Sequence, residues 1–233
     1  MAIGQLYTPG WSPVYLIDTE YLRLTLSGLQ LTCVSTRPTG KTFTSAVSVS
    51  PLRKLTKSQT MYFEILVTGV IPKNQRGDCG LGIGVTSTHP SKLKKTASAR
   101  DLPGVVLFGY EGVCVLNSGL GRREFKKDQW TGAAQLEVGD VVGLFAVMPA
   151  GDLVLVLNGE VVCDLCDCLP VDGAPLWALV DLAGNTTSVK WVPNPTVRPL
   201  LQYPSQPSPL LSPLTSSLSP IPTQMPLALP LGT

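Results

Sequence analysis

Aromatic residues make up only 6% of this 233-residue chain, charged residues only 15%, and there is a single histidine, His89. Each scarcity excludes something. A net charge of +2 supplies no bulk electrostatic reason to expect nucleic acid. No apolar run reaches the roughly 18 residues that a membrane-spanning helix requires. The stretch Met1 to Gly10 has neither the basic nor the apolar part of a secretory signal. The expected compartment is therefore the cytoplasm, where the six cysteines would be thiols rather than bridges.

Catalysis is short of parts too. A nucleophilic triad needs a base with a pKa near neutrality, and His89 precedes Pro90 in a polar loop with no nucleophile motif around it. The close carboxylates Glu137 and Asp140, or Asp164 and Asp167, fall at turns, where acidic side chains commonly bond backbone amides. The chain is expected not to be an enzyme and to carry no cofactor. Cys163, Cys166 and Cys168 have a spacing seen in zinc sites, but His89, Cys33, Cys79 and Cys114 do not repeat it. Small buried thiols at a strand end are the expected outcome, and no metal.

What the sequence has in quantity is strands and turns. Val141 to Met148 is an apolar run of strand length, Pro149-Ala-Gly-Asp152 turns it, and Leu153 to Leu157 returns. Asn158-Gly159 is a strong hairpin signal because both residues tolerate the left-handed conformation of a two-residue turn. Glu160 to Cys163 follows. Leu176 to Leu182, the turn Ala183 to Asn185, and Thr186 to Val192 repeat the pattern. Upstream, Tyr21 to Leu26 and Leu29 to Val34 alternate with period two as a first hairpin, and Phe43 to Ser50, Met61 to Thr68 and Cys79 to Thr86 are further strands. Val14 to Ile17 is a possible short edge strand, and Met1 to Pro13 reads as irregular, with Trp11 available to cap an open end. Gly80, Gly82 and Gly84 strip one strand face of side chains, which marks a bend or a close approach rather than a phosphate loop, since no helix follows.

The order of these pieces carries a resemblance. Val138-Gly-Asp-Val-Val-Gly143, Gly151-Asp-Leu, Leu157-Asn-Gly-Glu160 and Leu176 to Gly184 resemble the second half of a neuralized homology repeat. Pro51-Leu52, Tyr62 to Val67, Gly80 to Thr86 and Pro90 to Leu93 are similar to its first half, while Leu102-Pro-Gly104 and Phe108 to Gly112 are closer to the SPRY pattern. The likeness spans about residues 20 to 192. It implies an all-β fold, an antiparallel two-sheet β-sandwich of about a dozen strands, that recognises other proteins as a substrate-binding adaptor in ubiquitin-linked turnover, trafficking or signalling. Ligase members of that family usually add a RING finger or a SOCS box, and no cysteine follows Cys168. The resemblance then implies either an adaptor that borrows its effector or a shortened, divergent member.

The expected organisation is an N-terminal extension over 1–20, the sandwich over 21–192, and a tail over 193–233. The tail keeps one charge, Arg198, and is crowded with proline, serine and leucine, so disorder with local polyproline II character is expected. Ser208, Ser212 and Ser219 precede prolines, and Pro204 to Pro207 has PxxP spacing.

Two basic stretches complete the reading. Lys92, Lys94, Lys95 and Arg100 lie in one polar segment, and Arg122, Arg123, Lys126 and Lys127 lie in a second, just ahead of Trp130. Together with Tyr110 and Trp130, these loops, 92–101 and 120–130, are the expected contact surface for a protein partner, for an acidic partner, or for phosphoinositide at a membrane surface. The alternative is that they are solvated loops that keep the domain soluble. Carbohydrate binding is a further option, because lectins share the architecture. On the surface reading, changing Trp130 and Arg122 together to alanine is expected to weaken partner capture and leave the melting temperature nearly unchanged.

Overall fold

Alternating apolar residues drive a chain into strands because each strand then buries one row of side chains and leaves the other row outside. In the computed structural model this happens fourteen times among the described residues, which are 11–13, 22–27, 30–35, 43–55, 60–76, 79–93, 98–110, 112–118, 121–126, 130, 132–170 and 172–193. The chain divides into two units, Met1–Pro199 and Leu200–Thr233, and all the described residues belong to the first. Residues 194–233 of the tail and the Val14 to Ile17 segment lie outside the described residues.

Strands are numbered in chain order. One seven-stranded sheet runs β1 (Trp11–Pro13), β4 (Phe43–Ser48), β13 (Trp177–Ala183), β6 (Gly82–Thr86), β7 (Val105–Gly109), β8 (Val113–Ser118), β9 (Gly121–Lys126). The second, also of seven, runs β12 (Glu160–Leu165), β11 (Asp152–Leu157), β10 (Val141–Val147), β5 (Met61–Val70), β14 (Thr186–Trp191), β3 (Gln30–Ser35), β2 (Leu22–Ser27). Neighbouring strands pair antiparallel throughout. Among the described residues, the helical turns are short 3-10 pieces at Lys73–Gln75, Pro90–Lys92, Ala99–Asp101 and Gly132–Ala134.

The core between the sheets follows from the pleat. Phe63, Ile65 and Val67 of β5 and Leu144 and Ala146 of β10 meet Ile83, Val85, Val106, Phe108, Val180 and Leu182 from the other sheet in one buried cluster. A fully buried aliphatic or phenyl side chain contributes roughly 1.5–3 kcal/mol, so this layer dominates the stability of the fold. Trp191 stacks on Phe63 with ring centroids 5.4 Å apart. A second, separate cluster lies on the outer face of the first sheet, where Val47, Val105, Leu107, Val113, Val115 and Leu179 are covered by Ala99 and Leu102.

The turns are made by the residues expected to make them. Asn158 and Gly159 take φ of +52° and +90° between β11 and β12. Asn158 also accepts the Val141 amide at 2.8 Å and donates to Asp140 at 2.9 Å, so its side chain tacks this turn to the start of β10. The glycines at and just ahead of β6 do permit close approach: a Cβ on Gly80 would stand 1.8 Å from the Ala133 carbonyl oxygen, and one on Gly82 would stand 2.9 Å from the Tyr110 ring.

Two expectations are corrected. The chain around Trp11 is not irregular but pairs with β4, Trp11 opposite Ser48, and Pro13 is tolerated there because β1 is an edge strand whose outward side needs no amide donor. The basic stretch after residue 120 is not a loop. Gly121–Lys126 is the edge strand β9, and its charges fit that place, since charged side chains on an edge oppose pairing with another chain.

Candidate recognition surface

The connection from β6 to β7 folds back over the outer face of the first sheet. Its turn at Ser98–Leu102 starts on a cap, the Ser98 hydroxyl accepting the Arg100 amide at 3.3 Å. Ala99 and Leu102 are fully buried there. Between them the backbone is held by the sheet itself: the Ala99 amide donates to Asp181 Oδ2 at 3.2 Å, and Asn117 Nδ2 donates to the Arg100 carbonyl at 3.2 Å.

Asp181 is the hub. Its carboxylate sits on β13 with 0% exposure and also accepts the Tyr110 hydroxyl at 2.6 Å. Burial pushes the Asp181 carboxyl above the ordinary carboxylate range, while Tyr110, the Ala99 amide, Ser45 across the β4 register and the charge of Arg100 pull it back. Burial first, and the Asp181 charge second, push the Tyr110 phenol well above its usual value. Over the same ring lies the Arg100 guanidinium, 3.8 Å from its centroid. Tyr110 has φ of +60°, a left-handed conformation that costs a non-glycine residue about 1–2 kcal/mol, and it is pinned there by the Tyr110 amide donating to the Leu81 carbonyl at 3.1 Å and the Gly80 amide donating to the Tyr110 carbonyl at 3.3 Å.

Arg122 joins this group from β9. It donates to Asp101 Oδ1 at 2.7 Å and bonds Glu124, and the Glu124 contact raises the guanidinium pKa and lowers that of the carboxyl. These groups are more than a third exposed, so the pairing sets geometry more than stability. Arg123 does not join. Strand alternation sends it to the opposite face of the sheet, exposed, opposite Leu116 in register. Lys92 stands exposed on the preceding turn, Pro90–Lys92, which His89 caps by accepting the Ser91 amide at 3.2 Å. Lys94 and Lys95 lie outside the described residues.

The two aromatic anchors expected at the surface are both interior. Tyr110 is 0% exposed in the outer cluster, and Trp130 is 4% exposed in the inter-sheet core. The reason is steric demand: Gly82 leaves a side-chain-sized gap that the phenol ring fills, and Trp130, with Ala133 and Leu136, fills the core at the end of the sandwich after β9. The Trp130 indole N–H has no acceptor among the described residues. Neither ring presents a contact surface, and they lie in separate clusters. The sequence reading missed Asp181, although a carboxylate within the apolar run Leu176 to Leu182 was a visible sign of a buried polar hub.

The cysteine segment follows the expectation of small buried thiols only in part. Cys163 is buried, Cys166 exposed and Cys168 partly buried, with burial pushing the Cys168 thiol up to about 12. Among the described residues, no group of three His, Cys, Asp or Glu side chains is placed to hold a metal ion. Also among them, no helix is long and apolar enough to cross a membrane.

The family model described as Neuralized matches residues 31–193. The crystal structure of the Drosophila melanogaster Neuralized NHR1 domain is similar over 80% of this chain and 99% of that one, at 13% identity and a TM-score of 0.49. The solution structure of the NHR domain in Neuralized from the same organism covers 82% of this chain and 95% of its own, at 15% identity and 0.47. The SPRY domain of human HERC1 covers 77% and 98%, at 18% identity and 0.47. No curated protein matches the chain by sequence. With more than half of its length matched by one family model, the chain belongs to the Neuralized family.

Proposed function

We propose that this chain is a non-enzymatic protein–protein recognition module, a neuralized-like substrate-binding adaptor acting in the cytoplasm in ubiquitin-linked turnover or in trafficking and signalling. The observation that carries the reading is the turn Ser98–Leu102: buried polar bonds hold it onto the sheet with Asp101 exposed and paired to Arg122. A segment that merely connects two strands needs no such support, whereas loops that bind are characteristically positioned by a stiff frame. The exposed cations Lys92 and Arg122 are then the candidate contacts, with Lys94 and Lys95 beside Lys92 in sequence, while Arg123, on the other face of β9, stands apart from them. The pairing of Arg122 with Asp101 and Glu124 leaves less net positive field than the sequence suggested, which favours a protein with mixed polar contacts over an anionic lipid surface.

The test is affinity capture with the intact chain and with a Lys92→Glu, Arg122→Gln variant, alongside thermal melts of both. The reading expects loss of specific partners at an unchanged melting temperature. Unchanged capture removes the surface. A captured set without ubiquitin-ligase, trafficking or signalling components removes the adaptor role. Salt-sensitive flotation on anionic vesicles would favour the lipid reading instead.

A further inference from the structure

We propose that the turn Ser98–Leu102 is a catch, which opens and closes as one unit on the outer face of the first sheet and is held shut by Tyr110 and Asp181 while the inter-sheet core stays closed. The two apolar clusters of the domain are distinct, and this turn contributes Ala99 and Leu102 to the outer one and no residue to the inner one. Lifting it therefore exposes Val47, Leu107, Val115 and Leu179 but takes nothing from the layer that holds the sheets together. Such a segregated unit can open at lower free energy than the whole domain.

What keeps it shut is concentrated in a few groups. The Ala99 amide and the Tyr110 hydroxyl share one oxygen of Asp181, at 3.2 and 2.6 Å. Asn117 holds the Arg100 carbonyl, Arg100 covers the Tyr110 ring, and Arg122 holds Asp101. A closed state held by a few shared bonds over a cluster separate from the core is the form a two-state element takes.

Opening also changes the surface. Closed, the face presents a charged turn whose Asp101 neutralises Arg122. Open, the same face presents an apolar floor bordered by Arg122 without its Asp101 partner. A partner that binds one form then shifts the other, which would give the recognition surface a built-in control. This inference goes beyond the partner reading, and its test reads backbone exchange rather than binding, so the two can fail separately.

The experiment is native-state hydrogen exchange on the unmodified chain across low urea, repeated with Tyr110→Phe, which keeps the ring and removes the hydroxyl. The amides of Ala99, Asp101 and Leu102 are expected to exchange at least about tenfold faster than those of Phe63 and Leu144, with little urea dependence, as local opening requires. In Tyr110→Phe the turn amides should quicken by a further factor of about ten while those of β5 and β10 change less than about twofold. Turn amides that follow the β5 and β10 amides in step with urea in the unmodified chain would overturn the proposal. So would a variant in which every strand quickens alike, or in which the turn does not respond.

Discussion

The hydroxyl of Tyr110 donates to Asp181 Oδ2 at 2.6 Å, joining residues 71 positions apart in sequence on a face of the sheet that does not belong to the main core. Around this bond the charged turn after Ser98 is organised, and it sets the first pH dependence expected of the domain.

Burial raises the folded-state pKa of Asp181 above that of the unfolded chain. The folded form therefore holds the proton to higher pH, and the stability this contributes is fully present below the unfolded value of about 4 and is lost as pH rises through the folded value. The groups facing the carboxyl are Tyr110, the Ala99 amide, Ser45 and Arg100. Asp181→Asn keeps the shape and one acceptor oxygen but cannot ionise. Urea midpoints from pH 4 to pH 8 should show native stability falling relative to the variant as pH rises, by up to about 1.4 kcal/mol for each unit before levelling. A difference independent of pH would contradict the buried-carboxyl account.

Trp130→Ala should cost roughly 3–5 kcal/mol of unfolding free energy, because it empties a tryptophan-sized space in the inter-sheet core. That reverses the expectation that removing Trp130 together with Arg122 spares the melting temperature. Trp130→Phe should cost less than the alanine change, since the indole N–H it removes has no acceptor to lose. Arg123→Ala, on an exposed edge, should stay within about 0.5 kcal/mol. Denaturant titrations of the three proteins decide the order.

Gly80→Ala should destabilise by roughly 3 kcal/mol, at the upper end for overpacking, because the added methyl meets the Ala133 carbonyl oxygen at 1.8 Å and a backbone atom cannot turn aside. Gly159→Ala meets no atom within 4 Å and should cost only the left-handed penalty of about 1–2 kcal/mol. Thermal melts showing the reverse order would mean that the end of the sandwich relaxes around residue 80.

The thiols should differ in reactivity although they lie within six residues. Native alkylation at pH 8 with peptide mass mapping should label the exposed Cys166 and leave Cys168, pushed up to about 12 by burial, and the buried Cys163 unlabelled until urea is added. Equal labelling of all three in the native chain would mean that the segment after β12 is open.

Most of the fold was legible in the sequence. Alternation marked β2, β3 and β4, apolar runs between turn residues marked β10, β11 and β13, and Asn158-Gly159 placed its hairpin correctly, because strand pleat and turn conformation depend on residues a few positions apart. β9 escaped for a related reason. Its residues Arg122, Arg123 and Glu124 look like a solvated loop unless the neighbouring strand is known, and β8 supplies the pairing that makes an exposed edge out of them.

Local chemistry alone thus determined that this protein is built of strands and turns, since those properties are written within each short segment, while the pairing of two sheets into a sandwich was what the neuralized resemblance implied. Which aromatic residues face outward was a matter for the tertiary structure. Tyr110 and Trp130 sit beside basic residues in sequence, yet a glycine on β6 makes room for one ring and the space between the sheets takes the other. Burial depends on what lies across the fold, and Asp181 acquires its role only when Tyr110 and Ala99 arrive from distant parts of the chain to share it.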